Sequence, residues 1–109
     1  MKSIVVIFLF LGFNSFGQLM GGSLVDEGRK LINNPSFVQE GTVNGWAIYD
    51  VSVDRNGNIK SATLKESNIT RTSSKVQLRN YVVTMKFEKG THYPQFHHAN
   101  IKLTLVKPN

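Results

Sequence analysis

Apolar and polar residues alternate within residues 46–64, and this pattern predicts a β-hairpin. The apolar positions that share one face of its first strand are Ala47, Tyr49, Val51 and Val53. Because successive side chains of a strand point to opposite faces, this set predicts a sheet with one face on a core and one toward water. Asn56-Gly57 lies between the two strand-like runs and strongly favours a tight hairpin turn.

The second run of the hairpin departs from strict alternation. Its apolar residues Ile59, Ala62 and Leu64 are spaced by three residues and then by two. An extra residue on one strand of an antiparallel pair produces such a shift. We therefore expect a β-bulge just after the turn.

One helix is predicted before the hairpin and one after it. Ser23 is a candidate cap for the first, whose apolar side includes Leu31 and Ile32 and which Asn33-Asn34-Pro35 would end. The second follows the polar residues 67–74. Its apolar stripe consists of Val76 or Leu78, Tyr81, Val82 and Met85.

A last strand is predicted at residues 99–106, where apolar and mostly polar residues alternate again. The element order predicts the fold class α+β, a two-layer sandwich with a small antiparallel three-stranded sheet and helices on one face. The residues expected to be buried together are Tyr49, Val51, Val53, Ile59, Leu64, Val82, Phe87, Ile101 and Leu103.

Residues 1–17 have the pattern of a cleaved signal peptide. Lys2 supplies a positive start, and an apolar run over residues 4–13 follows it. Ser15 and Gly17 are small residues at the positions that precede cleavage, so we expect the cut after Gly17. The apolar run over residues 4–13 is shorter than the about 20 residues that a membrane span needs, so we do not expect it to remain as an anchor. After cleavage we expect a periplasmic or secreted protein without stable membrane insertion.

Composition narrows the class of partner. The chain has no cysteine, which excludes disulfides, thiolate nucleophiles and cysteine-ligated metals. Its net charge is +6, but the lysines and arginines are scattered and form no basic run or stacking motif. We therefore expect no nucleic-acid partner and interpret the charge as a solvated surface that favours anionic partners.

The polar residues offer no strong motif for a metal or for catalysis. The run that begins at Asp54 resembles a calcium loop, but Gly57 is at its fourth position instead of the sixth, and Lys65 replaces the bidentate glutamate. A Ser-His-Asp triad assembles in space and stays open at this point. No nucleophile-elbow motif supports one, so we expect no enzyme, no metal and no cofactor.

Three histidines and one tryptophan remain as candidates for binding. His97 and His98 are adjacent, so on an extended chain their side chains point to opposite faces. We favour loop and strand-edge roles for these two and for His92, whose function stays open. Trp46 is either an anchor for a partner or, more commonly for an aromatic residue at a strand start, a packing residue.

The hairpin resembles the signature of the TonB C-terminal domain family. The matching residues are Val53-Asp54-x-Asn56-Gly57-x-Ile59-x-x-Ala62-x-Leu64-x-x-Ser67. The helix end at Met85-Lys86-Phe87 and the strand at residues 99–106 match in place. The resemblance covers residues 43–106, so we expect a leader at residues 1–17, a tail with a short helix at residues 18–42 and a TonB-like domain at residues 43–107.

The resemblance implies binding by strand pairing. A sheet of three strands has open edges that can template an added strand, and the family resemblance places pairing with an outer-membrane receptor segment at the last strand. The residues of this expected edge strand are Ala99, Asn100, Ile101, Lys102, Leu103, Thr104, Leu105 and Val106.

The chain also departs from that family. Its energy transducers keep an N-terminal membrane anchor and a Pro-rich spacer, whereas here the leader is expected to be removed and no such spacer follows. Force transmission is therefore in doubt. Two functions remain: a periplasmic module that binds a partner segment, or a structural or accessory domain without a peptide partner that self-associates, for example as a homodimer.

Overall fold

The structure, a computed structural model, describes residues 18–33 and 35–108. The strands are β1 (Gln18–Gly21), β2 (Val38–Glu40), β3 (Gly45–Val53), β4 (Ile59–Ser67) and β5 (His97–Val106). The helices are α1 (Ser23–Asp26) and α2 (Thr72–Val82). The leader predicted at residues 1–17 lies outside the described residues. None of the described helices is both long and apolar enough to cross a membrane.

The five strands form one mixed sheet, where an antiparallel sheet of three strands was predicted. The strands β1-β5-β3-β4 are antiparallel neighbours in that order, and β2 pairs with β5 in parallel. The two additional strands come from residues 18–42, which the sequence pattern assigned to a tail and a short helix. The broad α+β class is confirmed, and both helices contribute to one buried cluster.

β3 and β4 form the predicted hairpin with the predicted bulge. Beyond Ser52 the register shifts so that Val53 pairs with Ile59, which makes Lys60 the extra residue. A second register shift toward the far end of the hairpin makes Lys65 an extra residue in the same way. β4 is therefore regular only between its two bulges.

Asp54 and Gly57 build the turn of the hairpin. One carboxylate oxygen of Asp54 accepts hydrogen bonds from the backbone N–H groups of Asn56 and Asn58, both at 2.9 Å. Gly57 has a φ of 86°, and a Cβ atom there would overlap the backbone of Phe87. The residues that resembled a calcium loop thus serve the turn itself.

The first helix is shorter than predicted, because Gly28 ends it. Gly28 has a φ of 76°, and its N–H donates to the Val25 carbonyl at 3.0 Å. The N–H of Arg29 donates to the Leu24 carbonyl at 3.2 Å. This pair of bonds is a Schellman motif, which satisfies the last helical carbonyls and turns the chain away from the helix axis.

The residue that caps α1 also differs from the prediction. Gly22 occupies the N-cap position and makes no side-chain cap. The hydroxyl of Ser23 instead accepts a hydrogen bond from the backbone N–H of His98 at 3.3 Å. Ser23 therefore connects α1 to β5.

The second helix packs on the sheet through Leu78 and Val82, both fully buried. Val76 is 48% exposed, so Leu78 is the one of the two predicted alternatives that faces the sheet. The helix ends at Val82, within the β-branched run where helix propensity is poor. Met85 is buried beyond this end and belongs to the core without being helical.

The core lies between the helices and one face of the sheet. Most of its predicted members are buried: Tyr49, Val51, Val53, Val82, Phe87, Ile101 and Leu103. Ile59 is half-buried against this cluster, and Leu64 is 39% exposed, so its predicted burial is wrong. Both residues lie on β4, at the edge of the sheet.

Candidate functional site

β5 is an interior strand, so the prediction that it forms an open binding edge is wrong. β3 pairs with it along residues 97–105 on one side. On the other side β1 pairs with residues 100–102 and β2 with residues 104–106. The backbone N–H of Thr104 also donates to the carbonyl of Phe37 at 2.9 Å, beside the start of β2.

The side chains of residues 99–106 divide between the two faces of the sheet. Those buried in the core are Ala99, Ile101, Leu103 and Leu105. Those half-buried on the opposite face are Asn100, Lys102, Thr104 and Val106. β5 is therefore an interior strand that joins β1, β2 and β3 in one sheet and contributes one face to the core.

The described sheet is open at two edges, one formed by the outer side of β4 and the other by the outer sides of β1 and β2. β4 is the longer edge, with nine residues against four in β1 and three in β2. The Ala62 carbonyl accepts a hydrogen bond from Nε of Arg79 at 3.1 Å. Because backbone groups alternate in direction along a strand, Ala62 and Leu64 direct their N–H and C=O groups away from β3. An added strand would meet these groups.

The ends of β4 are less suited to pairing. Lys60 and Lys65 are exposed extra residues at its two bulges. Bulges and lysines on an edge strand are features that discourage uncontrolled pairing with another sheet. The usable edge is thus the short segment between the two lysines.

A groove of about 350 Å³ runs between this edge and α2. Its lining residues are Tyr49, Ala62, Thr63, Leu64, Thr72, Lys75, Val76 and Arg79. Leu64 and Val76 are 39% and 48% exposed, so two large apolar side chains face solvent here. We define these lining residues as the β4 groove.

The charges of the β4 groove have one sign. Lys75 and Arg79 line it, and none of its lining residues is acidic. The phenol of Tyr49, at its floor, donates to the Lys75 backbone carbonyl at 2.6 Å. Burial raises the pKa of Tyr49, while the charge of Arg79 opposes that shift. The phenol is therefore a neutral hydrogen-bond donor at neutral pH.

A second polar cluster surrounds Arg29, which is only 2% exposed. Its Nε donates to the Glu88 carbonyl at 2.7 Å and one Nη to the Asp54 carbonyl at 2.8 Å. Its guanidinium also lies 4.0 Å above the ring of Tyr93. Burial lowers the pKa of Arg29 from its ordinary value, and the neighbouring groups oppose that shift.

His97 completes this cluster from the first position of β5. Its Nδ1 lies 3.3 Å from the remaining Nη of Arg29, and since arginine can only donate, Nδ1 accepts. In a neutral ring the proton is then on Nε2, which lies 3.3 Å from a carboxylate oxygen of Glu27 without hydrogen-bond geometry. Every contact of this cluster joins segments of the chain, so we interpret it as a clamp between α1, the hairpin turn and residues 88–97.

The histidines do not form a metal site among the described residues. His97 is fully buried and His98 is exposed, which confirms that the two side chains point to opposite faces. His92 stacks on Tyr93 in the loop before β5, with ring centroids 4.1 Å apart. Within residues 18–33 and 35–108, no three His, Asp or Glu side chains are placed to hold a metal ion.

Trp46 lies on the face of the sheet opposite the helices. It is half-buried, and Nζ of Lys102 lies 5.3 Å from the centre of its ring. The lysine therefore covers part of the indole.

The sequence interpretation missed both the β4 groove and the buried Arg29. Val76 does not fit the spacing of Leu78 and Val82, and an apolar residue left on the outer side of a helix is a signal that could have indicated the groove. Arg29 carries no comparable signal, because it is one of many scattered basic residues.

Comparisons with known proteins found no relative of this chain. The resemblance to the TonB C-terminal domain family, which was drawn from the hairpin, the helix end and the last strand, stays a prediction. No family model, no curated protein and no solved structure matches this chain.

Proposed function

We propose that this protein is an exported binding module that pairs an edge strand with an extended segment of a partner, such as an outer-membrane receptor. The observation that carries the proposal is the outer side of β4, which pairs with no other described strand. Unpaired backbone groups on a sheet edge can bind an added strand. The expected leader at residues 1–17 supplies the periplasmic location.

The proposal moves the binding edge from β5 to β4. A segment could reach the backbone of β5 only after β1 or β2 had left it, because those strands occupy its outer side. β4 requires no such displacement. The N–H groups of Ala62 and Leu64 and the carbonyl of Leu64 would supply affinity, and side chains of the partner that point into the β4 groove would supply selectivity.

The test compares two substitutions at Leu64. Leu64→Pro and Leu64→Ala both remove the leucine side chain from the groove, but only proline removes the outward N–H. Peptides from periplasmic segments of outer-membrane receptors would be titrated against both variants and the parent protein. We expect proline to weaken binding at least tenfold relative to alanine, with amide NMR shifts concentrated in residues 59–67.

A fold control belongs to the same experiment. Both variants should show cooperative urea unfolding and the same sheet signals, because Leu64 lies on the edge and is 39% exposed. Equal affinities of folded proline and alanine variants, or shifts confined to other elements, would refute pairing at β4.

The bulges and lysines of β4 favour a second candidate, an accessory domain without a peptide partner. Lysines at bulges of an edge strand, such as Lys60 and Lys65, discourage pairing with a strand of another chain. Under this alternative no receptor segment binds at β4, and any assembly consists of copies of the same chain. Sedimentation equilibrium of the purified protein, with and without receptor peptides, separates the two candidates.

A further inference from the structure

We infer that the β4 groove selects an extended segment in which an apolar residue and an acidic residue lie two positions apart. This inference rests on the proposed function, because it assumes that the segment pairs with β4. It names the chemistry of the partner from the groove alone.

The apolar half of the inference comes from Leu64 and Val76. They are two of the four large hydrophobic residues that are strongly exposed in the described chain, and they line one groove, whereas Ile32 and Phe96 do not line it. Leu64 and Val76 both expose a large part of their apolar surface to solvent. An apolar side chain inserted there would remove that surface from water.

The acidic half comes from Lys75 and Arg79. The ammonium group of Lys75 makes no hydrogen bond or ion pair with any described residue. Arg79 uses its Nε on the Ala62 carbonyl, and its two Nη groups make no hydrogen bond or ion pair with any described residue. Because no acidic residue lines the groove, a carboxylate on the partner would supply the missing counter-charge.

Strand geometry sets the spacing between the two residues. Side chains of an added strand alternate between faces, and only every second one points toward α2. An apolar residue near Leu64 and an acidic residue near the two cations must therefore both belong to the face toward α2. Because Arg79 lies beside Ala62 and the apolar residue faces Leu64, the shortest such pattern in a segment antiparallel to β4 is apolar-x-acidic.

A short peptide fits these features better than a small amphiphile. The apolar part of the groove adjoins backbone groups that need donors and acceptors, and a peptide supplies both while a fatty acid does not. The volume of about 350 Å³ accommodates one or two side chains and leaves the backbone of the guest outside. Binding of a fatty acid is therefore an outcome that the test must include.

The test uses a set of eight-residue peptides that differ only inside the pattern. One carries Val-x-Glu, a second Val-x-Gln and a third Ala-x-Glu at its centre, and the dissociation constants are measured by fluorescence anisotropy at low salt. We expect the Gln peptide to bind about 2- to 5-fold more weakly than the Glu peptide, as for an exposed ion pair. The Ala peptide should also bind more weakly.

Matched protein variants assign the effect to the groove. Lys75→Gln should weaken the Glu peptide about 2- to 5-fold and leave the Gln peptide unchanged. Lys89→Gln removes an exposed lysine outside the groove and should change neither peptide. An Arg79→Lys variant keeps the charge and should retain the preference for glutamate.

The outcomes separate this inference from the proposed function. If Glu and Gln peptides bind equally and Leu64→Pro still weakens both, the inference is overturned and strand pairing stands. If no peptide shifts the amide signals of residues 59–67, the proposed function itself fails. Decanoate that shifts the groove residues where the peptides do not would overturn the inference in favour of an amphiphile site.

Discussion

Replacing Arg29 by methionine tests whether its buried guanidinium holds the domain together. Methionine keeps much of the volume and removes the charge and all its hydrogen bonds. The part-buried carbonyl of Glu88 then loses its donor, the carbonyl of Asp54 keeps only the N–H of Gly57, and Nδ1 of His97 loses its partner. The change affects three segments that are distant in sequence but meet at this one side chain.

The expected loss follows from opposing effects. A hydrogen bond from a charged donor contributes about 1.5–3 kcal/mol, and the contact with the Tyr93 ring about 0.5–2 kcal/mol. Burying a guanidinium costs several kcal/mol, which its removal returns. We expect Arg29→Met to lower the free energy of unfolding by about 2–5 kcal/mol, as is typical when one member of a buried polar network is removed.

Arg55→Met is the matched control. Nε of Arg55 donates to the Tyr93 carbonyl at 2.8 Å, in the same loop region, but Arg55 is exposed. Its loss should therefore cost less than about 1 kcal/mol. The two arginines differ chiefly in burial.

Urea denaturation followed by circular dichroism measures both variants. With a slope of about 1–2 kcal/mol/M for a domain of this size, Arg29→Met should lower the midpoint by about 1–5 M. Equal midpoints for the two variants, or an unchanged midpoint for Arg29→Met, would show that the guanidinium cluster contributes nothing net to stability.

Three further predictions concern the core, the turn and alkaline pH. Leu103→Ala should destabilise the domain by about 2–5 kcal/mol, since Leu103 is fully buried, and an unchanged urea midpoint would contradict its place in the core. Gly57→Ala should cost at least about 1 kcal/mol, because its φ is positive and its Cβ would meet the Phe87 backbone; a thermal melt equal to that of the parent would refute this. Burial raises the pKa of Tyr49 above its ordinary 10.0, so the folded state retains the phenol proton that the unfolded state loses. Stability should therefore fall as the pH rises through 10 and beyond, and the fall should be smaller in Tyr49→Phe; identical pH profiles would exclude Tyr49 as a cause.

The parts of the fold that the sequence predicted are those with local signals. Asp54 and Gly57 specify the turn through a side-chain cap and a positive φ, and the spacing of Ile59 and Ala62 reveals the bulge. The second helix was located by its stripe, although choosing Leu78 over Val76 required the sheet on which the helix packs. Each of these features depends on residues close together in the chain.

The parts that could not be predicted depend on distant residues. β1 and β2 are only four and three residues long and show no alternation, so their pairing with β5 leaves no trace in the pattern. Without them, the last strand is expected at an edge. The burial of Arg29 likewise requires the turn, residues 88–97 and α1 to meet in space.

The pairing of β5 has a consequence for when this chain can fold. Within the described sheet, β1 and β2 have β5 as their only strand partner, and β5 follows all other described strands in the chain. β1 and β2 precede β5 in the chain and must therefore wait for its synthesis before they find a neighbour, while the β3–β4 hairpin can form from local contacts alone. During synthesis β1 and β2 consequently stay without a strand partner until β5 has been made.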